Sequence, residues 1–568
     1  METTESSASS SAFGTPPTSP TSSRRYHIPL TPQRRGTDIP HSPSTPHLAL
    51  EPVTHDEQSA DGLTIGKGLA RSRTLPHRST SSGRANRAIP GLDGVTLEAS
   101  KLASLRKWIL GLAIVTFDLD LGPTLSCLFP QFTLYPFEAE NIAFSAFPDS
   151  PQFREGSEIH SFRIRGRPPP TNRRSTLGDD RPPLNDGFLY GYSYFSQTRD
   201  SSIKRGYAQW SIVILSQHPY AALFPAVLSK IGPLYRQHGE AILEVVSHNM
   251  ANWPPPSPGE TLELGFLGSV IHAELPQNVD EQQLSNTAHL HSQTEADWHV
   301  LVCSPPLEPP PLLLLGAAHT HLWSIWECLV LCEPILIFGP SPAMTSQAVW
   351  WLRDLFRPIP WAGDFRPFFT IHDKDHNELV NERAPKPGLL LGVTNPFFAK
   401  ACGHWPHVLS LGTAVPKNAS PIIASAGIPP GWTTKRHKRF ISKDQHILQQ
   451  VEDALGKRPD TLKEASAALR RHLSSRTAAM LVPLNRYLNS LIPPPTEAGT
   501  RLKPFNNAHF LASLKAHGSP LPFRSSSKTK QFYERWLRTP AFGLWLARQE
   551  EIVGTILTAR ASTASLVN

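Results

Sequence analysis

Apolar and polar positions first fall into sustained order near Trp108. Residues 108–117 are almost wholly apolar, too short a run to span a bilayer, and read as a strand. Asp118-Leu-Asp-Leu-Gly-Pro123 then turns the chain, and residues 124–129 return as the hairpin partner. Asp118 and Asp120 are the solvated carboxylates expected of such a turn. A strand at 161–165 precedes the Pro/Arg-rich run 166–186, which reads as a surface loop insertion. Aromatic and β-branched residues over 187–195 and 209–216 predict a second hairpin, with Lys204, Arg205 and Tyr207 at its basic tip. The two-residue period of a strand puts Tyr190, Tyr192 and Tyr194 on one face. The spacing of Leu223, Phe224, Val227, Leu228 and Ile231 predicts a helix over 220–235 covering that sheet, and residues 253–270 close the lobe. Antiparallel strands followed by helices make an α+β lobe.

Polar residues from 276 onward, ending in Pro309-Pro-Pro311, predict a linker over 276–311. A denser pattern follows. Thr320 can cap a helix carrying Leu322, Ile325, Trp326, Leu329 and Val330, which Glu333-Pro334 ends before a strand at 335–338. Ser341 caps and Pro342 starts a second helix with Ala348, Trp351, Leu352, Leu355 and Phe356 on its apolar stripe. Residues 365–373 read as a strand with a polar exit, and 389–393 as a short strand buried on both faces. Asn395 then caps and Pro396 starts a third helix. This is an α/β lobe. Residues 424–434 loop out to the basic run Lys435-Arg-His-Lys-Arg439, a solvated edge or a contact for an acidic membrane surface. Helical patterns fill the remainder: 444–455, 461–492 with a break or kink at Pro483, 508–514 and 528–559.

Composition separates these cores from a tail. Residues 1–103 are rich in Ser, Thr, Pro and Arg without an apolar period, so ordering them would cost entropy with little burial in return. They carry Thr15, Ser19, Thr31, Ser42 and Thr45 before prolines, and Thr74 in Arg71-Ser-Arg-Thr-Leu-Pro76, where phosphate would recruit a phosphate-reading adaptor. The 568 residues have a net charge of +8, but no nucleic-acid reader motif accompanies it. Five cysteines without a Cys-x-x-Cys pair fit buried thiols in a reducing compartment; Cys328 and Cys332 with His319 and His321 lack a metal-ligand pattern. No apolar run reaches membrane-spanning length, and the first residues lack a secretion signal, so a cytoplasmic protein is expected. Nucleophile-elbow, phosphate-loop, zinc-protease and dinucleotide patterns do not occur, and neither covalent chemistry nor a cofactor or metal is expected.

Three separated runs carry a family resemblance: His319-Thr-His-Leu-Trp-Ser-Ile-Trp-Glu-Cys-Leu-Val-Leu-Cys-Glu-Pro334 with the strand and Gly-Pro-Ser-Pro342 after it, Asp364-Phe-Arg-Pro-Phe-Phe-Thr-Ile-His-Asp373, and Leu391-Gly-Val-Thr-Asn-Pro-Phe-Phe-Ala-Lys400. In this order they resemble the central DENN module, and most of all the subfamily of DENN domain-containing protein six. Cys332 stands where that pattern has glycine. Tyr190-Gly-Tyr192, Lys204-Arg-Gly-Tyr207 and Ser211-Ile-Val-Ile-Leu-Ser216 are similar to the longin-like upstream part of the same subfamily.

The resemblance implies a tripartite fold: tail 1–103, longin-like α+β lobe 104–275, linker 276–311, central α/β lobe 312–434 and helical portion 435–560. It also implies guanine-nucleotide exchange on a Rab-family GTPase, met in its GDP-bound and nucleotide-free forms, by a protein recruited peripherally to endosomal or other trafficking membranes. The alternative is a DENN-fold scaffold or effector without exchange activity. Asp364, Arg366, His372 and Asp373 are polar enough either to meet the partner or to form an internal salt-bridge network; Lys204, Arg205 and Tyr207 are the other contact candidates. Asn395 and Pro396 are helix-start chemistry, and Trp323 and Trp326 are core.

Overall fold

The computed structural model describes residues 89–92, 94–149, 155–166, 181–203, 206–284, 300–412, 428–493 and 502–567, with side chains to 559. By internal contacts the chain divides into Met1–Ser81, which lies outside the described residues together with all six candidate phosphorylation sites, and Ser82–Asn568, which holds everything below.

Ordered structure begins inside the stretch read as tail. Helix α1 spans Ala99–Leu105, and Ile89, Leu92, Val95 and Leu97 before it pack against buried side chains. These apolar residues follow no period, because they lie along a surface rather than repeat on an element. Strands β1 (Gly111–Asp118), β2 (Gly122–Phe129), β3 (Gly156–Arg165), β4 (Phe188–Arg199) and β5 (Tyr207–Ser216) form an antiparallel sheet in the order β2-β1-β5-β4-β3. The Asp118 carboxylate accepts the backbone N–H groups of Asp120 and Leu121 at 2.8 Å, so this acidic turn is held by its own first residue.

Side chains alternate across the sheet as a strand requires. Leu112, Ile114, Tyr192, Ile212 and Ile214 face α3 (Leu223–His238) and α4 (Ala241–Ala251); Ala113, Val115, Phe195, Val213 and Leu215 face α2 (Pro136–Ser145). The predicted helix over 220–235 is thus α3, begun one turn later. Its Gly232 lies against Tyr194, where an added Cβ would come within 2.4 Å of the ring. Helix α2 gave no apolar signal because Glu138, Asn141 and Ser145 are among its buried residues. Each is paired: Glu138 with Arg181 at 3.1 Å, Asn141 with the Lys374 N–H, and the Ser145 carbonyl with His160 Nε2.

A small sheet joins β6 (Thr261–Phe266), β7 (Ser269–Glu274) and β8 (Val300–Val302), which runs parallel to β7. The stretch read as a linker therefore contributes a strand, and where it ends Pro311 starts a short helix α5 (Pro311–Leu315), followed by a 3-10 turn over Gly316–His321. That turn takes Thr320 away from the cap position; α6 (Leu322–Val330) has no side-chain cap.

The central sheet has the order β10-β11-β9-β12-β13: β10 (Phe365–Arg366), β11 (Leu390–Val393), β9 (Ile335–Phe338) and β12 (His407–Ser410) are parallel, and β13 (Gly431–Thr434) pairs antiparallel at the edge. Helix α7 (Pro342–Phe356) covers one face, capped as expected by Ser341, whose Oγ accepts the Met344 N–H. Phe369, Phe398, Cys402 and Trp405 cover the other, so β9 and β11 are buried on both faces. The predicted strand 365–373 stops after two residues because Pro367 has no N–H to extend the ladder. The departing loop crosses Gly392 so closely that a Cβ there would lie 2.1 Å from the Pro367 carbonyl oxygen. Short helices α8 (His376–Leu379), before β11, and α9 (Phe397–Ala401), after it, flank the sheet; Asn395 Oδ1 accepts the Phe397 N–H at the start of α9.

The helical portion comprises Gln445–Ala454, Pro459–Leu491, Asn507–His517, Ser526–Trp536 and Pro540–Val567. Of the break or kink expected at Pro483, the break does not occur: one helix runs through it. A proline inside a helix costs about 3 kcal/mol, but Pro483 is buried among Met480, Leu481, Leu484 and Leu488, whose burial offsets it. This helix binds the central lobe through Trp326 Nε1, which donates to Thr477 Oγ1 at 3.0 Å, and through Arg470, which meets Asp354 at 2.8 Å. Trp323 and Trp326 are both fully buried.

Candidate functional site at the junction of the lobes

Edge strand β3 of the first sheet meets the central lobe, and the polar motif 364–373 lies at that contact. Arg163 on β3, 5% exposed, donates from Nη1 to Asp364 Oδ1 at 2.8 Å and from Nη2 to Asp186 Oδ2 at 2.9 Å. Its guanidinium lies 3.4 Å from the centre of the Phe188 ring and 4.2 Å from that of Phe365, so aromatic faces solvate what the carboxylates leave open. Tyr190 donates its hydroxyl to the same Asp186 oxygen at 2.6 Å.

Arg366, on β10, is fully buried. Its Nε donates to both Asp364 oxygens at 3.1 and 3.0 Å, Nη1 lies 3.6 Å from Asp373 Oδ2 and donates to the Arg163 carbonyl, and Nη2 meets Asp375. Arg165, also from β3, donates to Asp375 at 3.0 Å. Three guanidinium groups and four carboxylates from both lobes thus close on one another. Burial works against the Arg366 charge, but Asp364 and Asp373 outweigh it and raise its pKa. Burial pushes the Asp373 carboxyl up to about 6, against the pull of Arg366. At Asp375 burial is overcome by Arg366 and Arg165, which hold its carboxyl below the usual range.

Other cross-lobe contacts extend this junction. Trp350 of α7 donates to Ser161 Oγ at 2.8 Å, and Phe368 packs with Val213, Phe195 and Ala146 in the core beneath α2. Asp149 meets the Thr394 hydroxyl, and burial raises its carboxyl to about 6. His372 stacks on Phe144 of α2 with ring centres 3.9 Å apart, and Lys374 Nζ sits 3.7 Å from the centre of the Phe137 ring.

Among the sequence-derived candidates, Asp364, Arg366, His372 and Asp373 come together here. Arg366 and Asp373 are buried, Asp364 is 14% exposed along its side chain, and His372 is exposed. Tyr207 begins β5 opposite Arg199 of β4, away from this cluster. Lys204 and Arg205 lie outside the described residues. Sequence reading missed Arg163, Arg165, Asp186 and Asp375; a search for charges on predicted strands would have found the first two. On the same side of the junction Leu119 and Leu121 project from the β1–β2 turn, 56% and 55% exposed. Gly122 in that turn sits within van der Waals reach of Phe144. Phe397, at the start of α9, is 50% exposed. Among the described residues no group of three or more His, Cys, Asp or Glu side chains is placed to hold a metal, and no helix is long and apolar enough to cross a membrane.

No family model matches the chain. It is 32% identical over 522 residues to the Homo sapiens protein DENND6B, covering 87% of each chain. To DENND6A of Gallus gallus it is 32% identical over 472 residues, 78% of this chain and 80% of the relative. The DENND6 homolog of Dictyostelium discoideum is 29% identical over 555 residues, 83% of this chain and 74% of the relative. Matches of this length must take in most of both lobes and the buried junction between them, and the chain belongs to the DENND6 family of DENN proteins.

Proposed function

We propose that this chain is a guanine-nucleotide exchange factor for a Rab-type small GTPase of membrane traffic, seated across the two lobes. The observation that carries the reading is family membership over most of the chain, given the exchange activity that the DENN resemblance implies. The junction supports it physically. An exchange factor accelerates nucleotide release only as far as it prefers the GTPase with distorted switch loops over the GDP-bound form. A ten-thousand-fold acceleration corresponds to about 5.5 kcal/mol of such preference. A platform whose halves shifted on contact would dissipate that preference in its own rearrangement.

Within this reading Arg366 and Asp373 are positioning residues, because they are buried and reach a partner only through the geometry they hold. His372, the exposed rim of Asp364, Leu119, Leu121 and Tyr207 are the side chains that meet the GTPase. Apolar anchors ringed by a few charges are the usual energetic centre of such a surface.

The test is release of a fluorescent GDP analogue from a panel of purified Rab GTPases, with the full chain in excess unlabelled GTP. Concentration-dependent acceleration on one or two members is expected. Binding of a GTP-loaded Rab without acceleration on any member would instead establish the scaffold reading.

A further inference from the structure

The basic run 435–439 is pinned in place. Glu327 on α6 is fully buried, accepts the N–H groups of Phe440 at 2.9 Å and Ile441 at 2.7 Å, and meets His437 Nε2 at 2.6 Å. One carboxylate thereby fixes the run against the central lobe, and its side chains face those of the helix Ser526–Trp536, about a hundred residues later. Arg436, Lys438, Lys528, Arg535 and Arg538 converge with Phe440 on an open cavity of about 260 Å³, where Glu534 supplies the one lining carboxylate. Lys528 Nζ lies 5.2 Å from the centre of the Phe440 ring, and the Arg535 guanidinium 5.6 Å. A second cavity of about 590 Å³ adjoins it and shares Arg436, Arg535 and Arg538.

Internal pairing does not account for these charges. Arg535 is tied to Glu333, and Glu534 lies 3.7 Å from Lys530 on its own helix. Among the described residues no carboxylate forms an ion pair with Arg436, Lys438, Lys528 or Arg538, and Arg436, Lys438 and Arg538 are exposed. Cations held this close without anions repel one another unless a ligand neutralises them. Arginine forks suit phosphate oxygens, and a cavity of this size suits one compact headgroup better than an extended peptide.

We propose that this cleft between the central lobe and the helical portion binds a membrane lipid whose headgroup carries two or more phosphates. Clusters of four to eight basic residues recognise such lipids at membrane surfaces, with roughly a fivefold gain in affinity for each cation brought close. The cleft shares none of its lining residues with the lobe junction, so the proposal does not rest on the exchange reading. A protein without a spanning helix among its described residues would gain from it a membrane address.

The experiment is co-sedimentation of the full chain with phosphatidylcholine vesicles containing either a phosphatidylinositol bisphosphate or phosphatidylserine at matched surface charge. An Arg436→Ala/Arg538→Ala variant is compared with Lys230→Ala/Arg236→Ala, which removes two exposed cations from α3. Both pairs avoid buried groups, and thermal melting confirms that each variant is folded. Since the tail is common to all three proteins, its own attraction to anionic vesicles cancels.

The expected result is binding to the phosphoinositide vesicles in preference to phosphatidylserine, about a twentyfold loss in the cleft variant and little change in the control. Equal binding to both vesicle types, or a cleft variant that binds like the parent, would overturn the proposal. So would binding of soluble inositol phosphate or an acidic phosphopeptide with no binding to vesicles.

Discussion

Two charge clusters separate the lobe junction from the cleft beside the helical portion. At the junction, Arg163, Arg165 and Arg366 meet Asp186, Asp364, Asp373 and Asp375 at distances mostly of 2.8–3.6 Å, three of the seven coming from the first lobe and four from the central one. At the cleft, five cations face one lining carboxylate, which has its own lysine partner. Charges that close on one another spend their interaction inside the fold. Those left open keep it for a partner, and three arginines in each cluster therefore have opposite consequences for stability and binding.

The largest effect should come from removing the centre of the closed cluster. Arg366→Met leaves Asp364, Asp373 and Asp375 buried or half-buried without their shared cation, and breaking such a network from one side costs about 3–5 kcal/mol. Urea denaturation should show that loss. Because Arg366 also ties β10 to β3 through the Arg163 carbonyl, limited proteolysis should cut between the lobes sooner in the variant. A loss below about 1 kcal/mol would mean that the network is solvated and adds little.

Next in size is a pH effect with a definite sign. Asp373 titrates near 6 in the folded protein and near 3.8 otherwise, among Asp364, Asp375 and Arg366. A carboxyl raised in this way favours the fold while protonated. Its contribution is fully present below the unfolded value and is lost as pH rises through about 6. Asp373→Asn mimics the protonated form and lacks that titration. Between pH 5 and 7.5 the stability gap should therefore move by about 1.4 kcal/mol in favour of the variant at the higher pH. Asp149, also raised to about 6, titrates in both proteins and cancels from the difference. No movement would place Asp373 as an ionised partner of Arg366 throughout.

Beside the cleft lies one departure from the family pattern. Cys332 lines the larger cavity beside the cleft and adopts φ +51°, a left-handed conformation in which a Cβ is crowded. This is the position where the resemblance places glycine. At most sites glycine is less stable than alanine, because it has more freedom to lose on folding. Here the order should invert: Cys332→Gly should exceed Cys332→Ala by about 1 kcal/mol. Comparing the two small residues removes the thiol's own contacts from the measurement. The usual order would mean that the turn relaxes around a side chain.

What the sequence disclosed and what it hid divide along the same physical line. Trp323, Trp326, the Ser341 cap and the doubly buried β11 were legible because burial and capping are local patterns. Strands β12 and β13 were missed, since four residues beginning with His407 and four beginning with Gly431 carry too little pattern to announce a strand. Helix α2 was hidden by its buried Glu138, Asn141 and Ser145, whose partners lie elsewhere in the chain. Half of the junction was visible as a polar motif. Its other half was not, because Arg163 and Asp364 are 201 residues apart. The run 435–439 could be read as basic, but nothing local revealed that Lys528, Arg535 and Arg538 complete its cleft.

The smallest expected change falls on the open cluster, and its smallness carries the comparison. Arg436→Ala/Arg538→Ala removes two exposed cations that have no ion-pair partner among the described residues, so stability should stay within about 0.5 kcal/mol of the parent. Any residual effect should be a gain, because Lys438 and Lys528 lose like-charged neighbours across the cavity. Added salt screens that repulsion, so the gain should shrink as ionic strength rises. Urea denaturation at low and high salt measures both. A loss of stability that persists in salt would show that these arginines are bound within the fold, and the cleft would then be a second closed cluster rather than the counterpart of the junction.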